Sequence, residues 1–366
     1  MHETRLTPMP RSHATLYLAA TGMITPVGAD TVCTATAVRA RLGAQRITEY
    51  RNKDLEPMIL AQVPDAALPP LKASLDRLAG VSGRHRRLLQ LAAPALQQVL
   101  SSYPNAGHPL ALFLAGPETL PGCPTALNGA FVDHLMVQTG ITLQRDNCRV
   151  LDTGRAGGVH VIELAFRYLE ETQHDYVVVG GVESFRDRFV LGHLDTEDRV
   201  LSPSRKDAAV PGEAAGFLLL ATQEGMARFG QTPLCTVSRP GWAREPGHLY
   251  STEPYRGEGL ANAWTQALDR IPGKTIRTVY SSMNGEHFWA KEHGVAMTRC
   301  HARLDENVVH EHPGDSLGDI GAAFGPVMVG LAAIGMQRRY INGPALVYGS
   351  CDQEHRAAVC VHSTDS

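Results

Sequence analysis

The 366-residue sequence has little charge: Asp, Glu, Lys and Arg make up 19%, and 34 Lys+Arg against 37 Asp+Glu leave a formal net charge of −3. With no basic run, it lacks the electrostatic footprint of a nucleic-acid or anionic-membrane binder. The opening MHETRLTPMPRSHATLYLAA has mixed charge, two prolines and too short an apolar stretch for a secretory signal. The seven cysteines (33, 123, 148, 235, 300, 351 and 360) contain no C-x-x-C, so neither a zinc ribbon nor a disulfide framework is expected, and a reducing cytoplasmic location is. Histidines gather at 287, 293, 301, 310 and 312, but no H-E-x-x-H is present and no metal is expected. Gly154-Arg155-Ala156-Gly157-Gly158 has neither G-x-G-x-x-G nor GK[ST] spacing, so no nucleotide or other cofactor is expected. The most apolar stretch, Ile320 to Met336, falls short of the roughly 20 residues of a membrane span. It holds four glycines and a proline, and reads as a helix buried on all sides of a large protein.

What the sequence has is 43% hydrophobic residues, 35 glycines and 23 prolines, the profile of a tightly turned α/β protein and not of a disordered one. Short apolar runs bounded by Gly, Pro or Asp predict strands at Leu16–Ala20, Leu110–Ala115, Cys148–Asp152, Tyr176–Gly181 and Gly216–Ala221. Helices are expected over Arg87–Leu100, Ala126–Thr139 and Ala156–Glu171. A second series has strands at Leu234–Val237, Ile276–Ser281, Ala345–Gly349 and Ala358–His362, with helices over Gly259–Asp269 and Ser316–Gln337. This alternation predicts sheets covered by helices. A change in composition near Gly230–Pro233 divides the chain into halves, 1–230 and 231–366. Each half holds an apolar helix preceded by a Gly-rich turn. Two helices sandwiched between sheets need small residues where backbones meet, and Ala156-Gly157-Gly158 and Gly318–Ala323 supply them.

Five motifs in order resemble the β-ketoacyl synthase family of the thiolase-like superfamily. Ala20–Gly28 is similar to that family's opening strand and turn. Arg155-Ala156-Gly157-Gly158-Val159-His160 sits like its nucleophile-helix motif C-A-S-G-x-H. Gly180–Ser184 is similar to G-G-x-E-S, Pro211–Gly216 to G-E-G-A-G, and Gly314–Ala322 to G-H-x-L-G-x-x-G-A. The resemblance implies a five-layer αβαβα fold of two similar halves, each a mixed sheet covered by helices, and a homodimer formed near Tyr176–Glu183.

It also implies where catalysis would sit, and there the sequence departs from the family. The nucleophile position holds Arg155. The two catalytic histidine positions hold Asn284, within Val279–Gly285, and Asp315. The family's lysine falls on His310 and its glutamate on Phe324, while its Gly-rich gate aligns with Tyr348–His355. Arg stays protonated and is no nucleophile, and an anionic Asp315 would oppose the charge that develops on an enolate. The expectation is a degenerate site plugged by a buried Arg155–Asp315 pair. The implied function is a dimeric, non-catalytic scaffold for another protein: an effector or adaptor of the kind tied to type VI secretion, or an acyl-carrier protein. Two other readings stand beside it. One is an enzyme with a rebuilt site, using Cys351 with His355 or Asp352, or Asp315 in acid/base chemistry. The other is a module that binds an acyl chain or an acyl-carrier protein. His160 reads as a packing residue, and the Ser202–Asp207 loop as exposed.

Overall fold

The computed structural model describes residues 12–103 and 108–364. The first half of the chain supplies β1 (Thr15–Ile24), β4 (Leu112–Ala115), β5 (Arg149–Leu151), β6 (Tyr176–Ser184) and β7 (Glu213–Ala221), and a separate hairpin of β2 (Gln45–Arg51) and β3 (Pro57–Ala61). The second half supplies β8 (Cys235–Ser238), β9 (Gly241–Arg244), β10 (Ile276–Tyr280), β11 (Leu304–Glu311), β12 (Ala345–Ser350) and β13 (His355–His362). From one edge to the other the strands run β11-β10-β12-β13-β8-β1-β7-β6-β4-β5, with β9 paired to β13. Numbered by chain order within its half and leaving out β9 and the separate hairpin, each set lies in the order 3-2-4-5-1. In each set the outer pairings are parallel and the inner ones antiparallel, and β1 joins β8 antiparallel at the centre. The letters of the sequence show no repeat, yet the topology is one.

Helices α1 (Thr31–Arg39), α2 (Ala73–Asp76), α3 (Gly83–Ser101), α4 (Phe131–Thr139), α5 (Gly154–Glu171), α6 (Arg188–Thr196) and α7 (Gln223–Phe229) belong to the first half. The second contributes α8 (Glu258–Asp269), α9 (His287–Cys300), α10 (Gly314–Leu317) and α11 (Phe324–Gln337). Helices α5 and α11 touch each other and strands of both halves, α3 covers β1, β6 and β7, and α8 covers β9 and β13. The result is a mixed α/β molecule with a helical middle layer. Residues 324–336 of α11 are all buried, as a helix with no polar face must be. Close approach in this layer depends on glycine: a methyl group on Gly158 would run into the Ala322 carbonyl oxygen, and one on Gly325 into the Gly158 backbone.

Two predicted helices end differently. The stretch before Phe131 is a turn in which the Asn128 side chain accepts from the Ala130 amide, 3.1 Å away, so α4 starts late. The helix expected over Ser316–Gln337 is broken after Leu317. Gly318 (φ 69°) leaves the helix, the Asp319 N–H donates to the Val210 carbonyl at 2.7 Å, and the Asp319 carbonyl accepts from Gly212 at 2.9 Å. A short turn over Gly321–Ala323 then leads into α11. Strand-like pairing with the segment before β7 outcompetes helix continuation where glycine relieves the backbone. This break aims Asp319 at the head of α5.

Candidate functional site: a buried ion network at the head of α5

Arg155 occupies the first turn of α5, 5% exposed. Its guanidinium grips Asp319 with two nitrogens, Nε at 3.1 Å from Oδ1 and Nη2 on Oδ2. Nη1 donates to Asp352 Oδ1 at 3.0 Å and to the Ser350 carbonyl at 3.1 Å. Arg199, the next cation, donates to Asp352 Oδ2 at 2.8 Å and clasps Glu286 from Nε (2.6 Å) and Nη2 (3.0 Å). Asn284 closes the ring, its Nδ2 donating to Asp319 (3.0 Å) and Glu286 (2.9 Å). The Trp289 indole N–H also donates to Glu286, at 2.8 Å, and the Arg155 guanidinium lies 5.2 Å from the Trp289 ring centroid. Fork-shaped donors meeting planar carboxylates are the strongest of the charged hydrogen bonds, and each fixes orientation as well as energy.

The expected pair is corrected in one partner. Arg155 is buried and ion-paired, but to Asp319 and Asp352; Asp315 is exposed at the surface on α10. The helix break after Leu317 explains the exchange, since it turns Asp319 inward. Among the other candidates, Asn284 enters the network. Phe324 begins α11 and shares with Asn284 and Asp319 the wall of a cavity of about 10 Å³. His310 lies elsewhere, packed edge-on against His293 at 5.1 Å between ring centroids. His160 stacks on Trp242 and His355 packs tilted against the same ring, each at 5.7 Å between ring centroids. Among the described residues no group of three metal-binding side chains is arranged to hold an ion.

Cys351 does reach the head of α5, but as a tethered thiol. Its Sγ donates to the Thr153 carbonyl at 2.6 Å and accepts from the Ala156 N–H at 3.2 Å, with no exposed surface. Burial, reinforced by the nearby Glu118, pushes its pKa well above the ordinary thiol value, against the pull of the helix N-terminus. Asp352 is no free base beside it. Burial alone would raise its carboxyl, yet Arg199 and Arg155 hold it well below the ordinary carboxylate range.

The charges near Arg155 do not balance. Two guanidiniums face the carboxylates of Asp319, Asp352 and Glu286, and Glu118 adds a fourth. Glu118 accepts from the Asp352 and Gln353 amides at 3.0 and 2.8 Å, and among the described residues no arginine forms an ion pair with it. Burial first, then the charge of Asp352, pushes its pKa up to about 7. Glu118 also lines a cavity of about 20 Å³ with Arg84, Arg155 and Glu183. A single water needs about 10–15 Å³, so neither cavity has room for an acyl chain.

Arg199, Glu286, Asp319 and Glu118 escaped the sequence reading. The available signal was electrostatic: an arginine at the head of a buried helix demands carboxylates, and G-D-I-G and C-D-Q lie in the two loops aligned with the family's site.

No family model matches the chain, and no curated protein does. Solved structures do. The oxazolomycin ketosynthase domain OzmH KS7 of Streptomyces albus JA3453 superposes with TM-score 0.77 at 11% identity, covering 96% of this chain and 75% of that one. The ishigamide ketosynthase/chain length factor gives 0.73 at 16% identity, over 95% and 99%. A type II ketosynthase bound to the hexaketide and in complex with its acyl-carrier protein, AntDE:AntF, gives 0.73 at 13% identity, over 98% and 100%. At such identities the likeness is one of fold, and on that ground the chain has the ketosynthase, thiolase-like fold.

Proposed function

We propose that this protein is a non-catalytic, dimeric scaffold on the ketosynthase fold, whose former substrate pocket is filled by its own ion network. The observation that carries the reading is the anchorage of Arg155. A permanent cation, gripped by Asp319 and Asp352 and leaving about 20 Å³ beside it, holds the position that the motif resemblance assigns to the family's nucleophile. The neighbouring Cys351 is enclosed, and burial pushes its pKa well above the ordinary thiol value. Breaking a buried pair by removing one partner typically costs about 3–5 kcal/mol, so such a network persists as a unit.

The strand implied for the dimer, Tyr176–Glu183, lies within the sheet as β6, paired with β4 and β7 and fully buried. The dimer is instead supported by β5, which ends the sheet with no strand on its outer side among the described residues, and by its half-buried Val150 and Leu151. An uncovered edge is a template for pairing with a second copy. The protein bound is, on the notion of a retained scaffold, an effector or adaptor of the type VI secretion kind or an acyl-carrier protein. The experiment is incubation with acyl-thioester probes followed by intact-protein mass measurement. The scaffold reading expects no covalent adduct. An acyl group on Cys351 would overturn it in favour of a rebuilt acyltransferase.

A further inference from the structure

Helices α1 and α11 pack together and end in a cluster of arginines that have no carboxylate partner among the described residues. Arg39 closes α1, and Arg41 follows with φ 55°; Arg338 caps α11, and Arg339 follows with φ 60°. Non-glycine residues rarely adopt such angles, and here both are charged and exposed. The two ends meet at Tyr340. The Arg39 guanidinium lies 4.6 Å from its ring centroid, and burial pushes the Tyr340 hydroxyl above the ordinary phenol range although Arg338 and Arg39 oppose it. Exposed Arg46, at the start of β2, bonds only to the Gly43 and Gln45 carbonyls. Among the described residues none of these five arginines makes an ion pair. Exposed arginines elsewhere are of both kinds: Arg145 and Arg167 make ion pairs, while Arg77, Arg149 and Arg188 make none among the described residues, so it is their grouping that sets these five apart.

Arginines 39 and 41 rim a groove of about 460 Å³. Its lining is mixed: Val38, Leu331 and Ile341 supply apolar surface beside Tyr280, His310, His312, Glu311 and Asp315; Leu42, next in the chain to Arg41, is 58% exposed. Helix ends favour cations through the backbone dipole, which accounts for one or two arginines, not for five near two adjoining helix ends, two of them on the rim of a groove with apolar side chains in its wall.

We propose that this face docks an acidic, amphipathic protein segment, whose carboxylates meet Arg39, Arg41, Arg46, Arg338 and Arg339 while its apolar side chains enter the groove. The chemistry favours a peptide over a polyphosphate. The groove also carries Glu311 and Asp315, and the chain is net negative at −3, both of which oppose a continuous anionic polymer. The inference gives a chemistry to the partner of the scaffold reading and rests on that reading only for the existence of one; the surface lies outside the Arg155 network.

The test is fluorescence anisotropy with a labelled synthetic helix bearing leucine on one face and glutamate on the other, and with its lysine-for-glutamate counterpart. The acidic peptide should bind, weaken as salt rises, and lose at least about tenfold in affinity with Arg39→Glu/Arg338→Glu/Arg339→Glu. The lysine peptide should not bind. A matching triple Gln variant keeps the test valid should charge reversal impair folding. No binding, equal binding of the lysine peptide, affinity unchanged in the triple variants, or equally tight arginine-dependent binding of heparin or anionic vesicles would each overturn the proposal. These failures are separable from failure of the scaffold reading, which is read from acylation of Cys351.

Discussion

Replacing Arg155 by methionine strands Asp319 and Asp352, both nearly fully buried, without their shared cation. The expected loss is about 3–5 kcal/mol, read from urea unfolding. Changing Asp319 to Asn as well should return part of it, because the two residues act in one network. A different test reads the thiols. Under native conditions iodoacetamide should modify exposed Cys33 and leave Cys351 untouched; native labelling of Cys351 would show that the head of α5 opens. Glu118 sets a pH dependence with a definite sign. Its folded pKa of about 7 lies above the ordinary 4.5, so its contribution is fully present below about pH 4.5 and is lost as pH rises through about 7. By the shift alone that loss is at most roughly 3 kcal/mol. Asp352 works oppositely: its depressed pKa stabilises the fold above the ordinary 3.8, and that contribution disappears as pH falls below it. The stability of wild type relative to Glu118→Gln should therefore fall as pH rises between about 4.5 and 7. A difference that stays constant with pH would place the titration elsewhere.

At the scale of elements, the contact of α5 with α11 is the tightest constraint. Since a side chain on Gly158 meets backbone of the partner helix and not a movable side-chain tip, Gly158→Val should cost at least about 2 kcal/mol, by overpacking. At Gly192, with open space around it, the same change should cost far less. A thermal melt of both variants separates packing from the general preference of helices against valine. Elements whose apolar pattern matched their final burial were legible from letters alone: β6, β7, β12, β13, α5 and α8 lie within a residue or a few of where periodicity put them. Those overlooked were half-exposed or short. Among these are β2 with its mixed burial, the four-residue β9, and α9, whose buried Glu292 and His293 sit on one face with Trp289. Their positions follow from partners distant in sequence, such as Arg356 on Glu292 at 2.7 Å, which no local pattern announces.

For the whole molecule the repeated strand order explains why the site lies where it does. Two halves of the same topology meet through β1 and β8, and each contributes one glycine-rich helix start to the middle layer. An ion network spanning Arg155 and Arg199 of one half and Asn284, Glu286, Asp319 and Asp352 of the other therefore also fastens the halves together. Sedimentation analysis should show a dimer, and Val150→Asp on the edge strand β5 should shift it toward monomer. A wild-type monomer at micromolar concentration would remove the edge-pairing argument. No helix among the described residues is long and apolar enough to cross a membrane, in keeping with the glycine-rich α11 serving as core.

Local chemistry by itself determined the alternation of elements, the buried character of Ile320–Met336, and the presence of a fixed positive charge at the start of the central helix. Each of these depends on residue type and spacing along a few turns of chain. Tertiary structure alone decided which carboxylates answer that charge. Asp315 and Asp319 stand four residues apart and are indistinguishable as letters. Only the pairing of Asp319 with Val210 and Gly212 breaks the helix and turns one of them inward, leaving the other in water. Burial multiplies the strength of whatever charge it encloses, so this one backbone detour determines the site's electrostatics.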